Sequence, residues 1–152
     1  MPTQYQVQDY VALSYTWGKI DPLTLNEENM DELAEEGALD RSESRLPETI
    51  RDAIRLCGMI QQRYLWVDSL CIVQDTRDKH DQIRQMDRIY RHAVLTVIAA
   101  AGGDGNAGLP GVSNARQTKQ KIINMKGMTL ANVLPHLEHS LAHSVWQGRG
   151  WT

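Results

Sequence analysis

The sequence has few of the features that mark secreted, membrane or disulfide-rich proteins. It has only two cysteines, Cys57 and Cys71, in apolar surroundings, and they are expected to be reduced thiols rather than a disulfide pair. No apolar run approaches the ~20 residues that a membrane helix needs. The N-terminus also lacks the basic and apolar regions of a signal peptide. We therefore expect a cytoplasmic protein with no membrane contact.

The charge of the chain is almost balanced. The net charge is -3 at pH 7, and the lysines and arginines are dispersed along the sequence. This distribution argues against a surface for nucleic acid. The 152 residues, of which 41% are hydrophobic, suffice for a single domain of ordinary size with its own core. We therefore expect one domain over residues 1–152.

Three apolar runs predict buried strands, at Tyr10–Tyr15, Tyr64–Asp68 and Val94–Ala100. Helical spacing separates them, with Pro47 as a first helical position and Asp78 as an N-cap. The order strand, helix, strand, helix, strand predicts right-handed crossovers and a parallel sheet in the α/β class. With helices on both faces, the first strand is expected to lie in the middle of the sheet.

The second run offers no polar face, so its strand is expected to be covered on both sides. Trp66 should then be buried, and its truncation to alanine should cost ~3–5 kcal/mol. The remaining segments are less regular. Residues 19–45 are acidic and predict a surface insertion, and residues 120–134 predict a hairpin that turns at Lys126-Gly127. A helix is expected from Pro135 onward, within an irregular C-terminal part.

Polar residues follow each predicted strand, and in a parallel sheet these strand ends share one rim. Their side chains accept, donate and stack, which is what a nucleotide or sugar ligand needs. The alternative is that they only cap loop amides, and the spacing leaves both interpretations open. The candidate ligand-binding residues are Ser14, Tyr15, Trp17, Ser69 and Asp104, and Asp68 lies among them.

Two patterns near this rim are better explained as structural features than as ligand-binding or catalytic sites. Residues 103–108 match G-x-G-x-x-G, but Pro110 and Gly111 stand where a phosphate-binding helix should run, so a turn-rich loop is expected. Cys71 is either a nucleophile or a structural thiol. The structural interpretation is favoured because only the fold could bring His80 or His92 beside it.

Three histidines lie on one face of a predicted helix. His136, His139 and His143 follow the spacing i, i+3 and i+7, which could in principle bind zinc. An adjacent stripe of leucines and a valine instead indicates that the histidines form the solvent-exposed face of an amphipathic helix. We therefore predict no metal site.

Three blocks of the sequence carry a family resemblance. They are Tyr-Val-Ala-Leu-Ser-Tyr-Thr-Trp-Gly at 10–18, Arg-Tyr-Leu-Trp-Val-Asp-Ser-Leu-Cys-Ile-Val-Gln-Asp at 63–75, and Arg-Gly-Trp-Thr at 149–152. In this order they resemble the fungal heterokaryon incompatibility (HET) domain over residues 10–152. HET domains are similar to TIR domains, which have flavodoxin-like sheets. The resemblance implies a role in fungal non-self recognition and programmed cell death. It also implies a signalling module with protein partners or self-association.

The resemblance also implies an enzymatic alternative. Some TIR domains cleave NAD with a Glu on a helix after the third strand. In HET domains the block at 149–152 typically continues with Leu-Gln-Glu, and this chain ends before that Glu. The resemblance thus implies that the domain is incomplete at its C-terminus and inactive as it stands. It implies that the intact protein is an NAD glycohydrolase, with NAD as its substrate and no other cofactor. Asp68 is the remaining candidate catalytic carboxylate on the rim.

Overall fold

A three-stranded parallel sheet forms the centre of the protein. The structure is a computed structural model that describes residues 8–115, 120–134 and 136–148. Its strands are β1 (Val11–Ser14), β2 (Leu65–Val67) and β3 (Leu95–Ile98), in the spatial order β2-β1-β3. Both pairings are parallel, and Val11 lies opposite Leu65 on one side and Leu95 on the other. The predicted parallel sheet with the first strand in the middle is therefore confirmed.

Short helices surround the sheet. The α-helices are α1 (Met30–Leu33), α2 (Ala38–Arg41), α3 (Glu48–Met59), α4 (Asp68–Cys71), α5 (Lys79–Arg84), α6 (Met86–His92) and α7 (Leu137–Ala142). Two 3₁₀ turns lie at Glu43–Arg45 and Trp146–Gly148. None of the described helices is long and apolar enough to cross a membrane. The fold class is α/β, as the alternation of strands and helices predicts.

Helix α3 covers one face of the sheet and contacts both β1 and β2. Pro47 is its N-cap, so the helix begins at Glu48, one residue after the Pro47 start that the sequence predicts. Proline suits this place because its fixed φ angle of -56° directs the chain into the helix. The inward-facing residues of α3 join strand residues in the main core, which includes Leu13, Val67, Ile50, Ala53 and Leu46.

Helix α6 lies against the other face and contacts both edge strands, at Trp66 of β2 and Thr96 of β3. The predicted helix after Asp78 is in fact two helices, since Gln85 leaves helical geometry at φ -95° and ψ 1°. The hydroxyl of Tyr10 donates to the carbonyl of Ile89 at 2.6 Å. The ring of Tyr90 meets that of Trp66 edge to face, with 5.6 Å between the centroids. These contacts hold α6 against the sheet.

Only the central strand is covered on both faces, so the expectation of full cover for β2 and β3 was wrong. All four residues of β1 are buried, whereas Leu95 and Ile98 of β3 are 44% and 42% exposed. Trp66 is half-buried instead of buried. The physical reason is the width of the sheet. A strand at the edge of a three-stranded sheet lacks one neighbour, and α6 is too short to cover the outer positions.

Replacing Trp66 with alanine is expected to lower the free energy of unfolding by about 2–3 kcal/mol, below the range for a fully buried tryptophan. The indole loses its edge-to-face contact with Tyr90 and part of its apolar cover. Urea denaturation measures the change. Leu13→Ala, at a fully buried position of β1, is the matched comparison and should cost at least as much. A larger loss for Trp66→Ala than for Leu13→Ala would contradict the half-buried placement.

The C-terminal part forms a separate hairpin. Strands β4 (Ile122–Met125) and β5 (Met128–Ala131) are antiparallel, and the two turn residues Lys126 and Gly127 both have positive φ angles, 41° and 85°. Glycine tolerates such angles, and they suit the two-residue turn of a hairpin. The predicted hairpin and its turn are confirmed. The helix expected from Pro135 onward begins at Leu137.

Candidate functional site

Trp17 and Asp68 meet at the carboxyl ends of β1 and β2. The indole N–H of Trp17 donates to both carboxylate oxygens of Asp68, at 3.1 and 3.2 Å. The backbone amide of Ser69 donates to one of the same oxygens at 2.8 Å. These residues are 51 positions apart in sequence. They meet because the parallel register places the ends of neighbouring strands side by side.

Tyr15 and Ser69 form a buried layer beneath this pair. The Tyr15 hydroxyl donates to the Ser69 hydroxyl at 3.2 Å, and both residues are almost fully buried. The carbonyl of Ser69 accepts from the amide of Leu25 at 2.8 Å. The side-chain amide of Gln74 donates to the carbonyl of Asp68 at 3.0 Å. This layer fixes the turn that presents the Asp68 carboxylate.

A cleft of about 320 Å³ opens beside the carboxylate, within the usual range for small-molecule sites. Asp68 supplies an acceptor for ligand hydroxyls, and Lys79 supplies an ammonium for an anionic group. The Trp17 ring offers a surface for stacking. The lining residues are Trp17, Asp68, Ile72, Gln74, Lys79, Ile83 and Met86. The sequence named the first two as candidate site residues, but none of the others.

The other candidate rim residues do not line this cleft. The hydroxyl of Ser14 accepts a hydrogen bond from the indole N–H of Trp146 at 2.8 Å. Asp104 is exposed, and its carboxylate accepts from the amide of Asn106 at 2.9 Å within its own turn. Tyr15 and Ser69 lie below the surface. A ligand role for these four residues stays a prediction, and the geometry gives each of them a structural partner.

Cys71 lies close to the rim, but its side chain is a neutral thiol rather than a nucleophilic thiolate. Its sulfur accepts from the amide of Val67 at 3.4 Å. Cys71 is an exposed residue, but desolvation of its sulfur, aided by the nearby Asp68 charge, raises its pKa although the Val67 amide opposes this. A raised pKa disfavours the nucleophilic thiolate. His80 and His92 are both exposed, and the ring of His92 contacts the carbonyl of Arg88 at 2.7 Å.

The histidine and glycine patterns have structural roles in the described chain. The rings of His139 and His143 stack with centroids 4.4 Å apart, and His136 is the N-cap of α7. In residues 8–115, 120–134 and 136–148, no three His, Cys, Asp or Glu side chains are grouped to hold a metal. Residues 103–108 form a loop without a following helix. The third sequence block, at 149–152, lies outside the described residues.

A buried carboxylate in α3 was missed at the sequence level. Asp52 is fully buried and accepts hydrogen bonds from the Leu109 amide at 2.8 Å, from Arg55 at 3.0 Å and from the Ser113 hydroxyl. Thr49 accepts from the amide of Gly108 at 3.2 Å. Asp52 thereby fastens the loop at 105–114 to α3. The sequence did contain a signal for this buried carboxylate. Asp52 lies three residues after Thr49, on the face of α3 that carries the core residues.

Asp52→Asn is expected to lower the free energy of unfolding by about 1–3 kcal/mol at neutral pH, because it weakens acceptors that satisfy buried donors. Burial by itself raises the pKa of Asp52. The bonds from Ser113, Leu109 and Arg55 outweigh it, so the pKa lies below its ordinary 3.8. With a lowered folded pKa, the stabilisation is present above the ordinary value and is lost as the pH falls below it.

The measurement is urea unfolding of both proteins at a series of pH values. The gap between wild type and Asp52→Asn should be constant near neutral pH and should shrink below the ordinary Asp pKa of 3.8. Asp87→Asn is the control, since Asp87 forms only an exposed ion pair with Arg91 at 3.8 Å and should change stability by less than about 1 kcal/mol. A gap that widens as the pH falls would contradict the assignment.

Comparison with known protein families identifies the chain. The model of the family described as heterokaryon incompatibility protein (HET) matches residues 10–152, which is nearly the whole sequence. No curated protein and no solved structure matches the chain. The match spans the three strands, the cleft at Trp17 and Asp68, and the C-terminal hairpin. The chain therefore belongs to the heterokaryon incompatibility (HET) family.

Proposed function

We propose that this protein is a cell-death effector of fungal non-self recognition and that it acts in the cytoplasm as a protein-interaction module. Membership of the HET family supports the biological role. Two free cysteines, Cys57 and Cys71, fit a reducing compartment. The role requires that the protein associate with a partner or with itself before cells die.

The observation that carries the interaction role is the amount of apolar surface left uncovered. Val94, Leu95 and Ile98 are exposed along the outer edge of the sheet. The hairpin exposes further apolar residues. On one face these are Ile123, Met125, Met128 and Leu130, and on the other Ile122. The four residues on one hairpin face form a patch of the kind that marks protein–protein interaction sites in soluble proteins.

Inducible expression in a filamentous fungus tests the proposed role. Death is measured by dye uptake and by colony counts after induction. A version with Leu13→Asp, which puts a charge into the fully buried central strand, should be unfolded and harmless. Death caused equally by both versions would count against a role of the folded domain. Survival of cells that accumulate the folded wild-type protein would overturn the effector role.

A second candidate function is cleavage of NAD, and the cleft favours it. A ribose that loses nicotinamide becomes oxocarbenium-like, and a nearby carboxylate stabilises that charge. Asp68 supplies such a carboxylate, and Lys79 in the same cleft suits the pyrophosphate. This proposal treats NAD as a substrate and not as a bound cofactor.

Release of nicotinamide from NAD by the purified intact protein separates the two functions. Turnover that scales with protein concentration and is lost in Asp68→Asn would favour the enzyme. No turnover, combined with death on expression, would favour the interaction module. Lys79→Met is the matched cleft variant, and it should raise the KM for NAD more than it lowers kcat if Lys79 only binds phosphate.

A further inference from the structure

An apolar groove runs along the open edge of β2. It has a volume of about 600 Å³ and lies between β2, α3, α4 and the α1–α2 segment. Strand β2 pairs with β1 on one edge, and no described strand pairs with its other edge. The amide of Val67 faces away from β1, since it donates to the sulfur of Cys71 in this groove. An open strand edge flanked by apolar side chains is a template for a docking segment.

The hairpin of β4 and β5 has an apolar face that no other described element covers. Ile123 lies opposite Leu130, and Met125 lies opposite Met128. Each of these four side chains is more than half exposed. The other face carries the pairs Asn124 with Thr129 and Ile122 with Ala131. A two-stranded hairpin is only marginally stable in water by itself, so a surface that covers this face would stabilise it.

The charges of the two surfaces are complementary. The segment of residues 21–43 is strongly acidic and contributes Leu33, Leu39 and Asp40 to the groove lining, which also includes Arg63. Its acids are Asp21, Glu27, Glu28, Asp31, Glu32, Glu35, Glu36, Asp40 and Glu43, against Arg41 alone. Residues 105–137 contain no acid, and the hairpin has Lys121 and Lys126 at its strand ends. Opposite potentials of this kind steer and orient association.

We infer that the apolar face of the hairpin of one copy docks into the β2-edge groove of a second copy. The occupant is this chain itself, because the same molecule carries both the basic apolar hairpin and the acidic-rimmed apolar groove. The contact joins two different surfaces. A heterologous contact propagates into chains of molecules unless it closes into a ring. The inference deepens the proposed interaction module and rests on it only for the link between association and cell death.

The test uses the purified full chain and sedimentation across a range of concentrations. Wild type should form species that grow beyond a dimer. Ile123→Asp, on the apolar hairpin face, should weaken association by about 30-fold or more. Asn124→Asp introduces the same acid at the next residue, on the opposite face, and should leave association unchanged. Leu130→Ser removes an apolar side chain without adding charge, and it should weaken association even if Ile123→Asp disturbs the hairpin.

A groove variant completes the design. Ile54→Glu places an acid in the lining, whereas Met59→Glu places it on the same helix outside the groove. Ile54→Glu alone should be monomeric, and so should Ile123→Asp. An equimolar mixture of the two should form a complex that stops at the heterodimer, because one intact hairpin meets one intact groove.

The possible outcomes separate the inference from the proposed function. A mixture that stays monomeric, or a wild type that is monomeric at every concentration, would overturn the inference. Association by a hairpin–hairpin contact would also overturn it, and would show itself as an Ile54→Glu protein that still dimerises. These measurements involve no cells. A protein that assembles as inferred but does not kill would overturn the effector role and leave the docking intact.

Discussion

Asp68→Ala is expected to abolish cell death while the protein remains folded. The Asp68 carboxylate at the end of β2 accepts from the indole of Trp17, which follows β1, and from the adjacent Ser69 amide. It also lines the cleft at that rim. The hydrogen bonds of this carboxylate are only partly buried, so its loss should cost only about 1–2 kcal/mol of stability. Death after induction is counted by dye uptake, with the protein level measured in the same cells.

Matched variants separate the charge of Asp68 from its hydrogen bonds. Asp68→Asn keeps the size and one acceptor oxygen but removes the charge. Trp17→Phe keeps an aromatic ring in the cleft but removes the N–H donor. Asp87→Ala removes an exposed carboxylate of α6 and should kill as well as wild type. If Asp68→Ala killed cells at normal expression, the carboxylate would be a structural cap of the rim and the cleft would have no part in killing.

The order of the strands could be predicted because it depends on local sequence. Each apolar run is continuous, and runs separated by helical segments pair in parallel with little freedom of topology. Residues that are fully buried, such as Leu13 in β1, carry the strongest pattern. The burial of Trp66 could not be predicted in the same way, since it depends on how many strands stand beside β2.

The site could be predicted only in part, for a similar reason. Trp17 and Asp68 follow strands directly, so the parallel register brings them together. Lys79 begins α5 and Met86 begins α6 after a break at Gln85, and no residue there signals that break in the sequence. The role of Asp52 depends on a loop that lies more than fifty positions away in sequence. Contacts of this range follow from tertiary packing rather than from any local pattern.

Helix α4 contributes to both the cleft and the groove, but the two share no lining residue. Substitutions in one should therefore leave the other intact. Asp68→Ala tests the cleft, and Ile123→Asp tests the hairpin that is proposed to fill the groove. If death needs both, each protein alone should fail to kill. Because each substitution affects only its own copy, coexpression of the two tells whether one assembly can combine an intact cleft from one copy with an intact hairpin from the other.

Gly18→Ala is expected to lower the free energy of unfolding by about 2–4 kcal/mol. Gly18 has a φ angle of 73°, which side chains of L-residues rarely adopt, and this alone costs about 1–2 kcal/mol. A Cβ atom at this position would also lie 2.3 Å from the Cβ of Asp104. That clash falls on atoms close to the backbone, where side-chain rotation brings no relief, and overpacking of this kind costs about 1–3 kcal/mol. Urea denaturation measures the loss.

A double-mutant cycle isolates the clash from the backbone strain. Asp104→Gly removes the Cβ that a side chain at Gly18 would meet, so Gly18→Ala should cost only about 1–2 kcal/mol in that background. Gly58→Ala is the control: Gly58 lies in α3, a Cβ there meets nothing within 4 Å, and alanine should stabilise the helix by up to about 1 kcal/mol. Because the carbonyl of Trp17 accepts from the amide of Gly105 at 3.2 Å, this close approach positions the cleft tryptophan against the loop after β3. An unchanged cost of Gly18→Ala in the Asp104→Gly background would show that backbone strain alone requires glycine and that the approach of the two loops has no part in placing Trp17.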